Sequence, residues 1–376
     1  MKPRKFHDFA FMLHRYIGFA VGLPIVFISL TGSLLVFKPE IEQLLIAQNF
    51  GHIQPQPQMV SIDAVLATAK SELVNRPELT LNSIRLPSKP SSPYQIDLFD
   101  PTDQLTRLFI HPYTGKIMGW MESDSSIERV LLKLHYGLLS GRRGEIIVGI
   151  IGLLLFILSI TGLILWTGWR NLIAGFKIKW NGHFKRVNFD IHKVTGIVTI
   201  LFLSMTAFTG FCWNFSDWSY PVIYATTFTH PAPEIASTPI PGQTPLPISK
   251  LLQNSNTVFP ATTFSISIPA KPTDVVSVRK RQPHETLFYG QSDIILDSYS
   301  GEILRVVDSK TLPLGDSIIT SFEPLHYGTF WGILSRIIYI FVGLAPLILL
   351  ITSLAMYQYP NNKKLNNKTS DSVTRS

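Results

Sequence analysis

The sequence is poor in charge and almost devoid of cysteine. Only 15% of its 376 residues are charged, against roughly a quarter in an ordinary soluble domain, and this deficit argues against a simple cytosolic enzyme. A single cysteine, Cys212, excludes an internal disulfide framework, a CxxC redox pair, a cysteine-rich zinc site and CxxCH haem attachment. No nucleophile triad and no HExxH motif is present, so hydrolytic chemistry has no carrier. Carboxylates are missing from the apolar cores of the long hydrophobic runs, which counts against metal permeation through them. The net charge of +8 does not point to nucleic acid, because the basic residues cluster beside apolar runs rather than on one amphipathic face. Composition therefore predicts a membrane partner.

Four runs reach the roughly 20 apolar residues that a transmembrane helix needs: Tyr16 to Phe37, Ile146 to Trp166, Val194 to Trp213 and Ile333 to Tyr357. The first is read as retained rather than as a cleaved signal, since it is long and is followed by Lys38-Pro39-Glu40. Orientation follows from the excess of Lys and Arg on cytoplasmic flanks. The N-terminus, the short loop after the second run and the tail hold 14 basic and three acidic residues; the two long segments, with Arg336, hold 19 basic and 22 acidic ones. Both termini and the short loop are thus predicted inside, and both long segments outside. The expected division is a cytoplasmic N-terminus with the first span (1–37), a first extracytoplasmic domain (38–126), and an amphipathic segment with the second span (127–169). There follow a cytoplasmic loop (170–191), the third span (192–213), a second extracytoplasmic domain with a Pro-rich linker (214–320), the fourth span (321–357) and a cytoplasmic tail (358–376).

The long segments carry the signals of folded α+β domains. Residues 94–99 and 105–110 alternate as strands, Pro112-Tyr113-Thr114-Gly115 makes a turn into Lys116-Ile117-Met118, and Ser61 to Val74 has helical periodicity with Ser61 or Asp63 as its cap. The second segment begins with a linker from Pro231 to Pro247. A short helix follows, then strands near 265–268, 274–278 and 293–296, with a turn at Ser298-Tyr299-Ser300-Gly301.

The chain contains two copies of one unit. The run from His14, HRYIGFAVGLPIVFISLTG, and that from His192, HKVTGIVTILFLSMTAFTG, share Gly18/Gly196 and Thr31-Gly32/Thr209-Gly210. LHYG occurs at Leu134 to Gly137 and at Leu325 to Gly328, followed at equal distances by Gly141/Gly332, Gly152/Gly343 and Thr161/Thr352; Ser353 stands where the first copy has Gly162. HPYTGKIM at His111 aligns with DSYSGEIL at Asp297. The predicted fold is an integral membrane α-helical protein with four transmembrane helices in two parallel repeats, each carrying an extracytoplasmic α+β insertion. Such repeats are related by a pseudo-twofold axis along the membrane normal.

Histidine in or beside a span is costly and marks a functional site. The repeat pairs His14 with His192 at the cytoplasmic side and His135 with His326 at the outer side. Two imidazoles converging from facing helices are what a non-covalent b-type haem needs, and two such pairs call for two haem b groups. Zinc suits the pairs less, because no cysteine or repeated carboxylate completes four ligands; copper stays open. The nearby Gly18/Gly196 and Gly141/Gly332 fit either the approach of a flat ring or helix packing. Arg15, Lys193, Arg142 and Arg143 flank the ligands and suit haem propionates or lipid phosphates equally. Trp120, Trp166, Trp169, Trp213, Trp218 and Trp331 read as membrane-interface belt residues. Pro24 and Pro346 are candidate kinks. His7, His52, His111, His183, His230 and His284 read as ordinary polar residues. Arg279-Lys280-Arg281 with His284 offers local positive potential, or simply a solvated strand whose charges alternate faces.

These motifs together, HRYIG with its LTG, LHYGLLSGRRGEIIVGIIGLLLFILSITG, IHKVTG and PYTGKI, resemble the PepSY-associated transmembrane family over essentially the whole chain up to the tail. The resemblance implies an iron-regulated protein of the bacterial inner membrane with PepSY-like outer domains, similar to dihaem ferric-siderophore reductases. It implies His14 and His192 as axial ligands of an inner haem iron and His135 and His326 as those of an outer one. The partners it implies are lipid, a ferric siderophore or other ferric chelate, and an electron donor that stays open. The competing expectation is a non-enzymatic PepSY-type binding or transport protein without haem, in which the four histidines would be dispensable.

Overall fold

The structure is a computed structural model that describes residues 3–122 and 127–358. The expected cytoplasmic tail, with Lys363, Lys364, Lys368 and Arg375, lies outside the described residues apart from its first position, as do Lys2 and the segment 123–126 that closes the first predicted domain. Along the chain run α1 (Pro3–Leu35), α2 (Lys38–Phe50), α3 (Ile62–Leu73), β1 (Thr80–Arg85), β2 (Tyr94–Phe99), β3 (Leu105–Ile110), β4 (Ile117–Glu122), α4 (Ile127–Gly137) and α5 (Gly141–Leu165). The chain continues through α6 (Leu172–Phe176), α7 (Phe184–Asn214), α8 (Ser216–Thr227), α9 (Ile248–Val258), β5 (Thr262–Ser267), β6 (Val276–Arg281), β7 (Ser292–Leu296), β8 (Ile303–Val307), α10 (Leu314–Tyr327) and α11 (Ile333–Gln358).

Among the described residues two compact units form, one from 3–36, Leu134–Phe215 and 337–358, the other from 37–122, 127–133 and Ser216–Arg336. The first holds the helices long and apolar enough to cross a membrane: Lys5–Leu35, Gly141–Trp169, Phe184–Asn214 and Ile333–Gln358. Large apolar side chains such as Leu23, Phe27, Leu201 and Phe341 point outward, as helices do when lipid replaces water around them. α5 packs on both α1 and α7. Small residues set the approach: a Cβ on Gly152 would stand 3.1 Å from the Ala207 carbonyl of α7, and one on Gly343 would meet Ser33 and Ser29 of α1. α1 and α11 run unbroken through Pro24 and Pro346. Gly18 and Gly196 make only ordinary contacts with Leu158 and Leu349. Gly141 and Gly332 have φ of 53° and 62°, so these two repeated glycines supply the left-handed residue at the turn into a span.

The second unit is built on one antiparallel sheet of order β4-β3-β2-β1-β5-β6-β7-β8. Each half is a helix followed by four strands, and the halves join where β1 pairs with β5, Ile84 opposite Ile266. Alternation places Ile84, Ile96, Leu98, Ile266, Val278 and Ile294 on the face covered by α3 and α9, where all are fully buried. Ser61 caps α3 by accepting from the Ala64 N–H, and Asp63 accepts from the Ser249 N–H at the start of α9. The opposite face of the first half is polar. There Asp97 takes bonds from Arg85 (2.8 Å) and Arg107 (2.7 Å), and Arg107 also reaches Glu42 of α2. Burial of both partners' charges is tolerated because each carboxylate is matched by a guanidinium.

The stretch from Pro231 to Pro247 has no helix or strand, yet it is bound along the sheet unit: Ser237 and Thr238 N–H donate to Thr273 O and Asp297, and Arg305 donates to Pro233 O. It is a strap on that unit rather than a free linker. The aligned turns are closed by equivalent acceptors, His111 Nδ1 for the Tyr113 N–H and Asp297 Oδ1 for the Tyr299 N–H.

Ile84→Ala should cost about 2–5 kcal/mol, because the junction strand cannot collapse onto the vacated volume. Denaturant unfolding of wild type and variant measures it; a change within 0.5 kcal/mol, an allowance of the order expected at exposed sites, would place the junction outside the core.

Candidate functional site

Three of the four repeated histidines are seated in the helical unit in the same way. His14 Nδ1 lies 2.9 Å from Thr161 Oγ1, with the Leu158 carbonyl also in hydrogen-bonding contact. His135 Nδ1 lies 3.2 Å from Thr31 Oγ1 and 2.9 Å from Ile28 O. His192 Nδ1 lies 3.0 Å from Thr352 Oγ1 and 3.2 Å from Leu349 O. Each threonine hydroxyl donates its own proton back to its helix, Thr161 to Ile157 O at 2.8 Å, Thr31 to Ile28 O at 2.8 Å and Thr352 to Ile348 O at 2.7 Å. It is therefore left to accept. A carbonyl can only accept as well, so every one of these Nδ1 atoms carries the proton. The tautomer is decided, and the Nε2 lone pair is the one left for a ligand.

The residue after each threonine makes room for the ring. A Cβ on Gly32 would stand 2.8 Å from His135 Cε1 and one on Gly162 3.3 Å from His14 Cε1. In the fourth span the equivalent residue is Ser353, whose hydroxyl adds a contact to His192 Nδ1 at 3.3 Å. In the sequence Thr31, Thr161 and Thr352 mark only recurrent spacings; their constant offset from the histidines is the signal that singles them out. Thr209, the fourth such threonine, is buried like the others at 2% exposure.

His14 and His192 come together: their ring centroids are 6.3 Å apart and their planes 83° from parallel. Among the described residues no group of three His, Cys, Asp or Glu side chains gathers to hold a metal. A bare ion would find only these two imidazoles there, so a group held by the pair would have to bring further ligands of its own. His135 lies in the helical unit and His326 in the sheet unit. His326 ends α10 beside Tyr327, ring centroids 6.2 Å apart.

The family model of the PepSY-associated TM region matches residues 11–358. The chain belongs to that family. No curated protein matches it. The family's membrane region in this PepSY-associated TM protein thus includes all four histidines and every threonine that seats them.

Several flanking residues have other work. Lys193 is buried, donating to Asp190 (2.9 Å), Ala174 O and Lys177 O, which pins the 170–183 loop to α7; it is a structural tie, not a free cation for a propionate. Arg142 pairs with Glu145, and Arg15 stacks on Tyr16. Trp166, expected in the interface belt, is buried against Gly168 and Gly175, and Trp120 packs on Arg76 in the sheet unit. Trp169, Trp218 and Trp331 are exposed. His183 caps α7 by accepting from the Arg186 N–H. The Arg279-Lys280-Arg281 run alternates faces: Arg279 pairs with Asp293 at 2.8 Å, while Lys280 is fully buried and donates to Asn256 Oδ1 and Phe259 O.

Thr161→Val should lower stability by about 1 kcal/mol, the worth of one intramolecular hydrogen bond, and Thr161→Ser should restore it, read from thermal denaturation in detergent. Burial pushes the Lys280 ammonium down to about 8 from its ordinary 10.5. The folded state then prefers the neutral amine, so its contribution is complete above the unfolded value and is lost as pH falls through about 8. Wild type should gain stability relative to Lys280→Met between pH 8 and 10, measured by urea unfolding at each pH; parallel profiles would refute it.

Proposed function

We propose that the protein is a dihaem b-type transmembrane electron-transfer protein that reduces an extracytoplasmic ferric chelate, of the ferric-siderophore class, and so releases ferrous iron. The observation that carries this reading is the His14–His192 pair, 6.3 Å apart, each Nδ1 tied to threonine and carbonyl. In this reading the chain is two parallel repeats, with both termini on the cytoplasmic side of a bacterial inner membrane and the sheet unit outside. The charge bias of the flanks and the recurrence of the His, Thr and Gly positions support it.

His14 and His192 would hold the inner haem and His135 and His326 the outer one, both irons being held from two sides. Haem held by two histidines would supply one-electron transfer rather than oxygen binding. The protein's own part is orientation and exclusion. Thr161, Thr352 and Thr31 keep each imidazole from turning and hold the proton on Nδ1, which raises the basicity of the ligating nitrogen. The apolar walls of α1, α5, α7 and α11 keep water out, and dielectric and burial tune the potential. An electron donor on the cytoplasmic side, or dithionite in vitro, balances the reaction. No acid–base residue is required, because Fe(III) to Fe(II) is an electron step.

Oxidised and dithionite-reduced spectra of the detergent-purified chain test this. Two low-spin b haems per chain are expected, with His14→Ala and His135→Ala each losing a different one. A colourless, folded protein from haem-replete cells would overturn the reading in favour of a haem-free PepSY-type binding protein.

A further inference from the structure

The connector between α5 and α7, which carries α6, is folded tightly on one side. Asn171 caps α6 by accepting from the Ala174 N–H at 3.0 Å. Lys193 Nζ donates to the carbonyls of Ala174 and Lys177 near the other end of that helix, and to Asp190 Oδ1. Asp190 Oδ2 accepts from the Lys179 N–H and from Arg186 Nε. The connector's backbone is thereby fixed on α7. Beneath α6 the space is taken by the indole of Trp166, since a Cβ on Gly175 would stand 2.6 Å from its Cζ2. Side chains of α6 that point away from Trp166 have no interior to turn into.

The other side of the connector is apolar and basic at once. Leu172, Ile173 and Trp180 are 63%, 81% and 69% exposed, and Trp169 beside them is exposed too. Single exposed apolar residues are ordinary, whereas several on one pinned segment mark a contact surface. Between Arg170 and Lys193 the one acidic residue is Asp190, and its ion-pair partners are Arg186 and Lys193. Arg170, Lys177, Lys179 and Lys185 pair with no carboxylate among the described residues. Chain continuity decides what covers this surface. Trp166 follows α5 directly and Phe184 opens α7, two helices long and apolar enough to cross a membrane. The connector therefore stays at the bilayer face where both helices end, and Phe184, exposed in the first turn of α7, carries the apolar band up to it. At that depth Trp, Leu and Ile enter the acyl boundary while Lys and Arg reach the headgroups. An acidic soluble protein would match the cations but not the apolar side chains interleaved with them.

We infer that the α5–α7 connector is a binding site for anionic phospholipid. Leu172, Ile173 and Trp180 sit in the acyl boundary, and Arg170, Lys177 and Lys179 lie on the headgroup phosphates. Because hydrogen bonds to Asp190 and Lys193 hold the backbone, little ordering remains to be done when the lipid binds. Lipid binding here is independent of haem at the histidines. In the orientation proposed above, the leaflet is the cytoplasmic one, whose anionic lipids attract basic segments next to spans.

The full chain is reconstituted into phosphatidylcholine vesicles that contain a small share of acyl-brominated phosphatidylglycerol, or the same share of acyl-brominated phosphatidylcholine. Tryptophan quenching is read in each, and the part that Trp180→Phe removes is the connector's own signal. Brominated phosphatidylglycerol is expected to reach half-maximal quenching of Trp180 at about a tenth of the mole fraction that brominated phosphatidylcholine needs. Arg170→Gln, Lys177→Gln and Lys179→Gln together should bring the two lipids within about twofold of each other, and so should about 1 M salt, which screens the headgroup charge. All three side chains are exposed, so the triple variant should melt at the wild-type temperature. Equal quenching by the two lipids in wild type, or an undiminished phosphatidylglycerol preference in the triple variant, would overturn the headgroup contact and with it the site. Trp180 left unquenched by either lipid would also overturn it, and would turn the surface over to an acidic soluble protein.

Discussion

A buried imidazole has two nitrogens, and whatever holds one decides the chemistry of the other. In the helical unit the holding group is a threonine whose own proton is already committed to its helix, reinforced by a carbonyl one turn away. Neither can donate, so the proton stays on Nδ1 and Nε2 keeps its lone pair. The rest of the membrane architecture serves this contact. α5 must run against α1 for His14 to reach Thr161, the end of α4 must meet α1 for His135 to reach Thr31, and α11 must meet α7 for His192 to reach Thr352. Bare glycine surfaces permit those approaches, because association within lipid has no hydrophobic drive and depends on close packing and polar contacts.

The Thr-Gly pair is a joint device. Its hydroxyl anchors the ring and its missing side chain admits it, as the 2.8 Å approach at Gly32 demonstrates. The fourth span replaces the glycine by Ser353 and turns the same space into a third acceptor for the His192 Nδ1–H. The two members of the His14–His192 pair thus sit in unequal polar surroundings, although both are followed by Thr-Gly at the same spacing in the sequence.

The sheet unit separates its tasks by face. One face is apolar and fully buried beneath α3 and α9, and supplies the stability. On the first half's other face, paired charges hold α2 in place and frame a cleft. Because strand side chains alternate, Ile96 and Asp97 on one strand serve opposite requirements without conflict.

The spans were legible because a hydrocarbon thickness imposes a length, and the strands at 94–99 and 105–110 because half-buried sheet imposes a period of two. The four histidines stood out because a costly residue recurs at fixed offsets from the same Thr and Gly positions in two stretches of the sequence. What sequence could not convey were contacts closed over long separations: the β1–β5 junction that makes one sheet of two halves, the burial of Lys193 and Lys280 among carbonyls, the withdrawal of Trp166 from the interface, and the binding of the Pro-rich strap to the sheet unit. Local pattern determines which face of an element is apolar, and this much the amino-acid order decided by itself. Which element meets that face, and therefore which nitrogen of a histidine is tied and which is left, depends on groups more than a hundred residues away, and only the tertiary structure could decide it.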